Sequence, residues 1–343
     1  MAATATLYGG DVSDYSDKAD WFKYKEKFDK KYNSDEESKR KKIFEENLLK
    51  IQDHNNKYQT GAVTYNMDIN EFTDYTDDEL SQIYYTGEDT KEEHLFSEDL
   101  EDVCSGGCIH SRSSRSRPDI STDRESINWR EKNAVTSVKS QKKYKTCWAF
   151  VTAGILEGLV AIKHKKLQSL STQQLIDCTA GYEELKGGYV IEGLRYAEEH
   201  GLLTDNDYPY KGPKSRCKSD AKTNKKRVFP VDYHIARNIS VEKLKSLVRE
   251  IGPVGVLLQV SKTAELFRYA GGLFAGSITE LFYHAVLLVG YDTDSTGTNY
   301  WIIKNSWGTR WGENGYLRIQ MDNKYGITRN VYYATAVEIL PEE

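Results

Sequence analysis

Apolar and aromatic positions follow two different rhythms along this chain. Between residues 20 and 55 they recur every three or four places: Trp21, Tyr24, Phe28 and Tyr32, then Ile43, Phe44, Leu48 and Ile51. That spacing lays one stripe along each of two helices. NSDEESKR, residues 33–40, predicts where the second begins, with Ser34 or Asp35 as cap and acids in the first turn. A further helix is predicted from Cys147 to about Lys166, in the apolar-rich stretch that opens with CWAF. From about Val228 the apolar runs become short: VGVLLQV, HAVLLVGYD, NYWIIKNSW and YLRIQ read as strands between turn residues. The pattern is therefore α+β, with a helix-rich half followed by a strand-rich half.

Two stretches break the rhythm. Residues 1–18 are small and polar and predict a disordered N-terminus. Residues 86–122 are first acidic (TGEDTKEEHLFSEDLED) and then rich in Ser and Arg (CSGGCIHSRSSRSRPDIST), the composition of an exposed linker. Arg112, Arg115 and Arg117 would suit a trypsin-like cut there. Charged residues make up 29% of the 343, yet the net charge is only −5. That balance argues against a nucleic-acid partner, which calls for a concentrated basic face. No run of eighteen apolar residues is present, so no membrane span is expected, and residues 1–18 show no secretory signal pattern. The chain is expected to be a monomer.

Five cysteines leave at least one unpaired or paired between chains. Cys104 and Cys108 flank SGG in the linker; two ligands are too few for a metal site, and no metal or cofactor is expected. Cys147 sits at a predicted helix start, where the helix dipole favours the thiolate, the nucleophilic form of cysteine. Of seven histidines most lie in polar surroundings, but His284 opens the apolar strand HAVLLVGYD, and Asn305 follows in WIIKNSWGTRWGENGY.

TCWAF, HAVLLVGY and KNSWGTRWGENGY, in that order, resemble the papain family of cysteine peptidases, of the cathepsin L type. His284 and Asn305 lie 137 and 158 residues after Cys147, close to the roughly 130–150 of that family. The N-terminal third is similar to the family's inhibitory prosegment: Glu36, Arg40, Phe44, Asn47, Ile51 and Asn55 fill every position of one spaced helical motif. DINEFTD supplies Asn70, Phe72 and Asp74 of a second, with Asp68 where glycine is usual. The resemblance implies a helical inhibitory prodomain over 19–85, the linker 86–122, and a two-part peptidase domain over 123–343, with its helix-rich half about 130–230, its strand-rich half about 231–338 and a cleft between. It implies a zymogen whose own prosegment is an intramolecular inhibitor and whose partner is a peptide or protein substrate.

By the same resemblance Cys147 is the nucleophile, His284 the base, Asn305 its orienting partner, Trp307 the shield over that contact and Gln141 an oxyanion donor. Gly187 and Gly188 would pair with substrate backbone, and Cys178 with Cys217 would form a disulfide. The pattern breaks near the nucleophile: Lys142, Tyr144 and Lys145 stand where the family has glycine, cysteine and glycine, and Leu185 replaces the partner of the missing cysteine. Lys145 would meet passing substrate, and Tyr189, Leu257, Phe282 and Tyr333 would crowd the pocket two residues before the scissile bond. These changes keep a second reading open, a catalytically impaired binding protein or prosegment-type inhibitor on the same fold. Lys142, Lys143 and Lys145 together would favour a thiolate and draw acidic peptides. Asp68 and Asp74 would release the prosegment in acid. The family's setting is lysosomal or extracellular; the missing signal pattern leaves a cytoplasmic one as the alternative.

Overall fold

The computed structural model describes residues 18–83, 126–180, 182, 187–218, 225–261, 264–278, 282–322 and 324–341. The whole expected linker, with Cys104, Cys108 and its arginines, lies outside these, as do residues 1–17 and Leu185. The first part is helical: α1 (Lys18–Lys27), α2 (Ser34–Gln59) and α3 (Asp77–Ser81), with the short strand β1 (Tyr65–Met67) between the last two. The cap of α2 is Asn33, one place ahead of the expected Ser34: its Oδ1 accepts the Glu36 amide at 2.9 Å. Asn and Ser are near-equal as caps, so local sequence could not choose between them.

Strand β2 (Ile127–Asn128) is followed by α4 (Cys147–His164), α5 (Thr172–Cys178) and α6 (Val190–His200). Then come β3 (Arg227–Arg237), α7 (Val241–Glu250), β4 (Val254–Val260), α8 (Glu265–Arg268), β5 (Tyr269–Phe274), β6 (Phe282–Thr293), β7 (Asn299–Lys304), β8 (Tyr316–Gln320) and β9 (Asn330–Leu340). Among the described residues the main path of the sheet runs β1-β5-β8-β7-β6-β4-β9-β3, with β2 against β6. Only β5 and β8 pair in parallel. The VGVLLQV run is β4 residue for residue.

The sheet divides the interior by its alternation of side chains. Val256, Leu258, Val286 and Leu288 face one core, which also holds Trp21, Tyr24, Phe44, Ile51 and Phe72 of the N-terminal part. Leu257, Ala285, Leu287 and Val289 face the other, built on α4, α5 and α6. Helix α4 is long and apolar enough to cross a bilayer, which the run-length criterion missed, but most of it is buried against this second face as a core helix. The contact is close: a Cβ on Gly255 would stand 2.6 Å from Val151, and one on Gly154 2.8 Å from Leu287. The Cys178–Cys217 disulfide ties α5 to the loop after Tyr210 across 39 residues. Closing a loop of that length is worth about 4 kcal/mol in the chain-entropy account.

The N-terminal part is held by polar hooks. Arg40 binds Glu36 and Glu79 and the Asp74 carbonyl. Asn47 donates to the carbonyls of Thr73 and Tyr75 at 2.8 and 2.9 Å. Asn55 and Met67 exchange two hydrogen bonds, which fixes β1 against α2. Phe44 packs on Trp21 and Tyr24, and Ile51 is buried beside them in the same core. The buried Asp74 carboxylate accepts from Tyr24 at 2.8 Å, Lys30 at 2.9 Å and Tyr32. The spaced positions of α2 thus face one polar network and one core.

Candidate active site

Cys147 is the first residue of α4 and His284 lies near the start of β6, so the two come from opposite walls of the interface between the cores. The amide of Ala285, the residue after His284, donates towards the Cys147 sulfur, which brings the thiol to the backbone next to His284. Both are buried, Cys147 at 2% exposure and His284 at 0%. Burial pushes the thiol up to about 11, against the pull of the Ala285, Trp148 and Cys147 amides and of Lys145. Burial likewise pushes His284 down to about 4, although its bond to Asn305 favours the charged form. Burial thus favours the neutral form of both groups.

The imidazole is oriented from two sides. His284 Nε2 lies 2.8 Å from Asn305 Oδ1, which also accepts the Ser306 amide at 2.8 Å. An oxygen accepting twice makes Nε2 the donor and leaves Nδ1 as the basic nitrogen. The Trp307 ring stacks on the imidazole with centroids 4.7 Å apart, and on Phe267 at 4.2 Å. Gln141 is locked beside them: its Oε1 accepts from the Ser306 hydroxyl at 2.6 Å and its Nε2 donates to the Tyr144 carbonyl at 2.7 Å. One N–H of that amide remains for another acceptor. The structure therefore brings Cys147, His284, Asn305, Gln141 and Trp307 together.

The other expected residues divide. Gly187 and Gly188 are buried, and a Cβ on Gly188 would meet the Trp148 ring at 2.5 Å. Tyr189 caps α6 and packs, like Leu257, on the helix-side core. Phe282 and Tyr333 instead pack against the other core, Tyr333 with its ring 5.1 Å from His234. The three lysines also part company. Lys145 is half-buried and feels the Cys147 sulfur, and burial pushes its ammonium down. Lys142 and Lys143 line a cavity on the far side of Gln141. Lys142 holds φ +55°, the left-handed region, at a position where the resemblance expects glycine.

Sequence reasoning did not foresee how the N-terminal part is fastened over this centre. Phe72 is buried edge-on against Trp307 and Phe267, at 5.7 and 5.0 Å. Burying a phenylalanine is worth about 1.5–3 kcal/mol. Asn70 donates to the Phe267 carbonyl at 2.6 Å, and Arg268 reaches Asn47 at 2.7 Å and Asp77 at 2.6 Å. Strand β1 adds to the edge of β5, which Gly272 permits: at φ +89°, a Cβ there would lie 2.5 Å from the Thr64 carbonyl oxygen. The only sequence signal for that edge was the glycine pair Gly271–Gly272.

Comparison with known proteins agrees with this geometry. Residues 124–335 match the papain family cysteine protease model, and residues 21–80 the cathepsin propeptide inhibitor domain (I29). A cathepsin L-like proteinase of Fasciola hepatica is 34% identical over 303 residues, 87% of each chain. One from Phaedon cochleariae is 33% identical over 325 residues, 93% of this chain and 94% of that protein. Digestive procathepsin L 3 of the Tenebrio molitor larval midgut superposes with TM-score 0.75 at 29% identity, covering 96% of this chain and all of that one. With an inhibitory propeptide domain ahead of a peptidase domain, this chain belongs to the papain family of cysteine proteases as a zymogen of the cathepsin L type.

Proposed function

We propose that the chain is an endopeptidase that works through Cys147, His284 and Asn305 and a covalent acyl-enzyme. The observation that carries this reading is the oriented imidazole: Asn305 on Nε2, Trp307 on its face and the Cys147 sulfur at the next residue's amide. Departure of the prosegment lets water and substrate reach the pair. The dipole of α4 then favours a thiolate and His284 takes the proton on Nδ1. The thiolate sulfur attacks the scissile carbonyl carbon, and the carbonyl π electrons move to oxygen. The Cys147 amide and the spare N–H of Gln141 stabilise that oxyanion; losing one such donor costs about 2.7–4 kcal/mol of barrier. As the C–N bond breaks, the imidazolium gives its proton to the leaving amine, and a thioester remains. His284 then deprotonates a water whose oxygen attacks the thioester carbon; the C–S bond breaks, the carboxylic product leaves, and the thiolate recovers its proton from the imidazolium.

The prosegment would inhibit by covering Trp307 and burying the pair in its neutral state. A lysosomal or extracellular setting suits the disulfide, since such bonds persist in oxidising compartments. The test is Cys147→Ser in the full chain, activated by acid. It should fold with the parent's circular dichroism and lose peptide hydrolysis by roughly 10⁴-fold or more. An epoxysuccinyl probe should label the activated parent at Cys147 and not the intact zymogen. Equal turnover by variant and parent would refute the assignment.

A further inference from the structure

Beside the centre just described, a cavity of about 500 Å³ opens where the prosegment meets the peptidase. Its peptidase wall includes Ser140, Lys142, Lys143, Gly308 and Arg310 and, among the lining residues, no acid. Its lining includes Gly308, the residue after Trp307, and Ser140, the residue before Gln141, and does not include Gly187 or Gly188. Ser140 bridges to Trp307, the Gln141 amide donates to the Ser306 carbonyl at 2.7 Å, and the Gly308 amide donates to the Lys139 carbonyl at 3.0 Å. Three cations gathered on one wall of a chain with net charge −5 form a local feature, not a general basicity.

The prosegment puts one carboxylate into this cavity, that of Glu71. It feels Arg310, Lys30 and Lys142, and its Oε1 would lie 3.7 Å from a Cβ built on Gly308. Burial pushes the Glu71 carboxyl up, while Arg310, Lys30 and Lys142 pull it down. Of the cations, Lys30 leaves with the prosegment: it binds Asp74 and the Glu71 carbonyl. Arg310 donates to the Lys27 carbonyl at 2.6 Å and covers the Phe28 ring at 4.8 Å, both prosegment groups. Removal of the prosegment therefore takes the carboxylate and those Arg310 contacts away, and leaves Lys142, Lys143 and Arg310 in place.

We propose that these three residues form a carboxylate-binding site for the part of a peptide substrate that follows the scissile bond, and that Glu71 occupies this site in the zymogen. The inference rests on the cysteine-peptidase mechanism proposed above and adds a substrate class to it. Two sources supply the carboxylate, an Asp or Glu side chain or the free end of a short peptide. The open face of the cavity accommodates either.

The test uses the full chain after acid activation and three quenched peptides of one sequence. They carry Gln with an amidated end, Glu with an amidated end, or Gln with a free end, varied at the first and second positions past the cut. The Glu peptide should exceed the amidated Gln peptide in kcat/KM by roughly threefold to fivefold, the size of a partly exposed ion pair. High salt should erase the ratio. Arg310→Gln and Lys142→Gln, both at exposed side chains, should each lower it towards one. A preference for the free end that the same variants remove supports the site with a chain terminus as its ligand. Equal rates on all three peptides, or a preference that neither variant moves, would overturn the inference while hydrolysis itself upholds the mechanism. Absence of both hydrolysis and labelling at Cys147 would overturn the mechanism, and this inference with it.

Discussion

The prosegment and the centre it covers bury polar groups in opposite ways. In the prosegment the buried Asp74 and the partly buried Arg40 have partners: Tyr24, Tyr32 and Lys30 hold the carboxylate, and Arg40 joins Glu36 and Glu79. Around Cys147 burial instead drives thiol and imidazole to their neutral forms. The first arrangement makes the cover rigid because its charges are matched. The second favours the neutral form of both groups because burial penalises their charges. The prosegment's contact with the centre runs through Trp307, on which Phe72 packs edge-on.

The largest break in this contrast should come from Asp74→Ala. It leaves the Lys30 ammonium, 13% exposed, without its carboxylate, and unpairing a buried ion pair costs about 3–5 kcal/mol. We expect α1 and the DINEFTD turn to loosen and the uncut zymogen to accept the epoxysuccinyl probe at neutral pH. A variant that stays unlabelled at pH 7 would show that the Phe72 and β1 contacts hold the cover without the node.

Acid should weaken the same contrast, and its two sides carry opposite signs. Burial raises the Glu79 carboxyl, but the bond to Arg40 and the Thr76 amide outweigh it, so its folded value lies below the usual 4.5. Its contribution is present above about pH 4.5 and is lost as pH falls through that lower folded value. Glu37 behaves alike through Lys25 and Trp21. Asp68 and Glu71 do the reverse: burial raises both, so their cost at neutral pH is relieved as pH falls. The expectation that Asp68 drives acid release thus has the wrong sign, because Asp68 has no cationic hydrogen-bond partner to lose. Glu79→Gln should let the zymogen activate at a higher pH than the parent, and Asp68→Asn should leave release dependent on acid. Activation half-times measured from pH 7 down to 4 will decide; release abolished by Asp68→Asn would reverse this assignment.

The smallest effect concerns the rim. Lys142 holds a positive φ that costs an L-residue about 1–2 kcal/mol, partly offset in glycine by the entropy of its unfolded chain. Lys142→Gly should raise the zymogen's Tm by about 2 °C while weakening the preference for acidic peptides. A lower Tm would mean that the lysine stem packs usefully on the rim.

How much of this was legible in the sequence depended on range. β4 and the start of α4 were plain, because period and turn residues act within ten positions. The centre was legible through the order of TCWAF, HAVLLVGY and KNSWGTRWGENGY, although nothing local sets Trp307 between His284 and Phe267. The edge pairing of β1 was not legible: a three-residue strand has no periodicity, and its partner lies about 200 residues away. The cap at Asn33 fell between near-equal choices. Position alone did not tell that Tyr189 and Leu257 would pack on the helix-side core and Phe282 and Tyr333 against the other.

The fastening of the prosegment has a consequence in concentration. Its hooks join residues far apart in sequence: Asn70 to Phe267 over 197 positions, Arg268 to Asn47 over 221, Arg310 to Lys27 over 283. In the intact chain the inhibitor stands at an effective concentration set by its connection to the peptidase, whatever the amount of protein. That value falls only slowly with the length of the connection. One cut in the connection turns an internal equilibrium into a bimolecular one, and the freed segment is diluted to its bulk level. Inhibition then depends on how much cleaved protein the compartment holds, so dilution alone would complete an activation that acid begins.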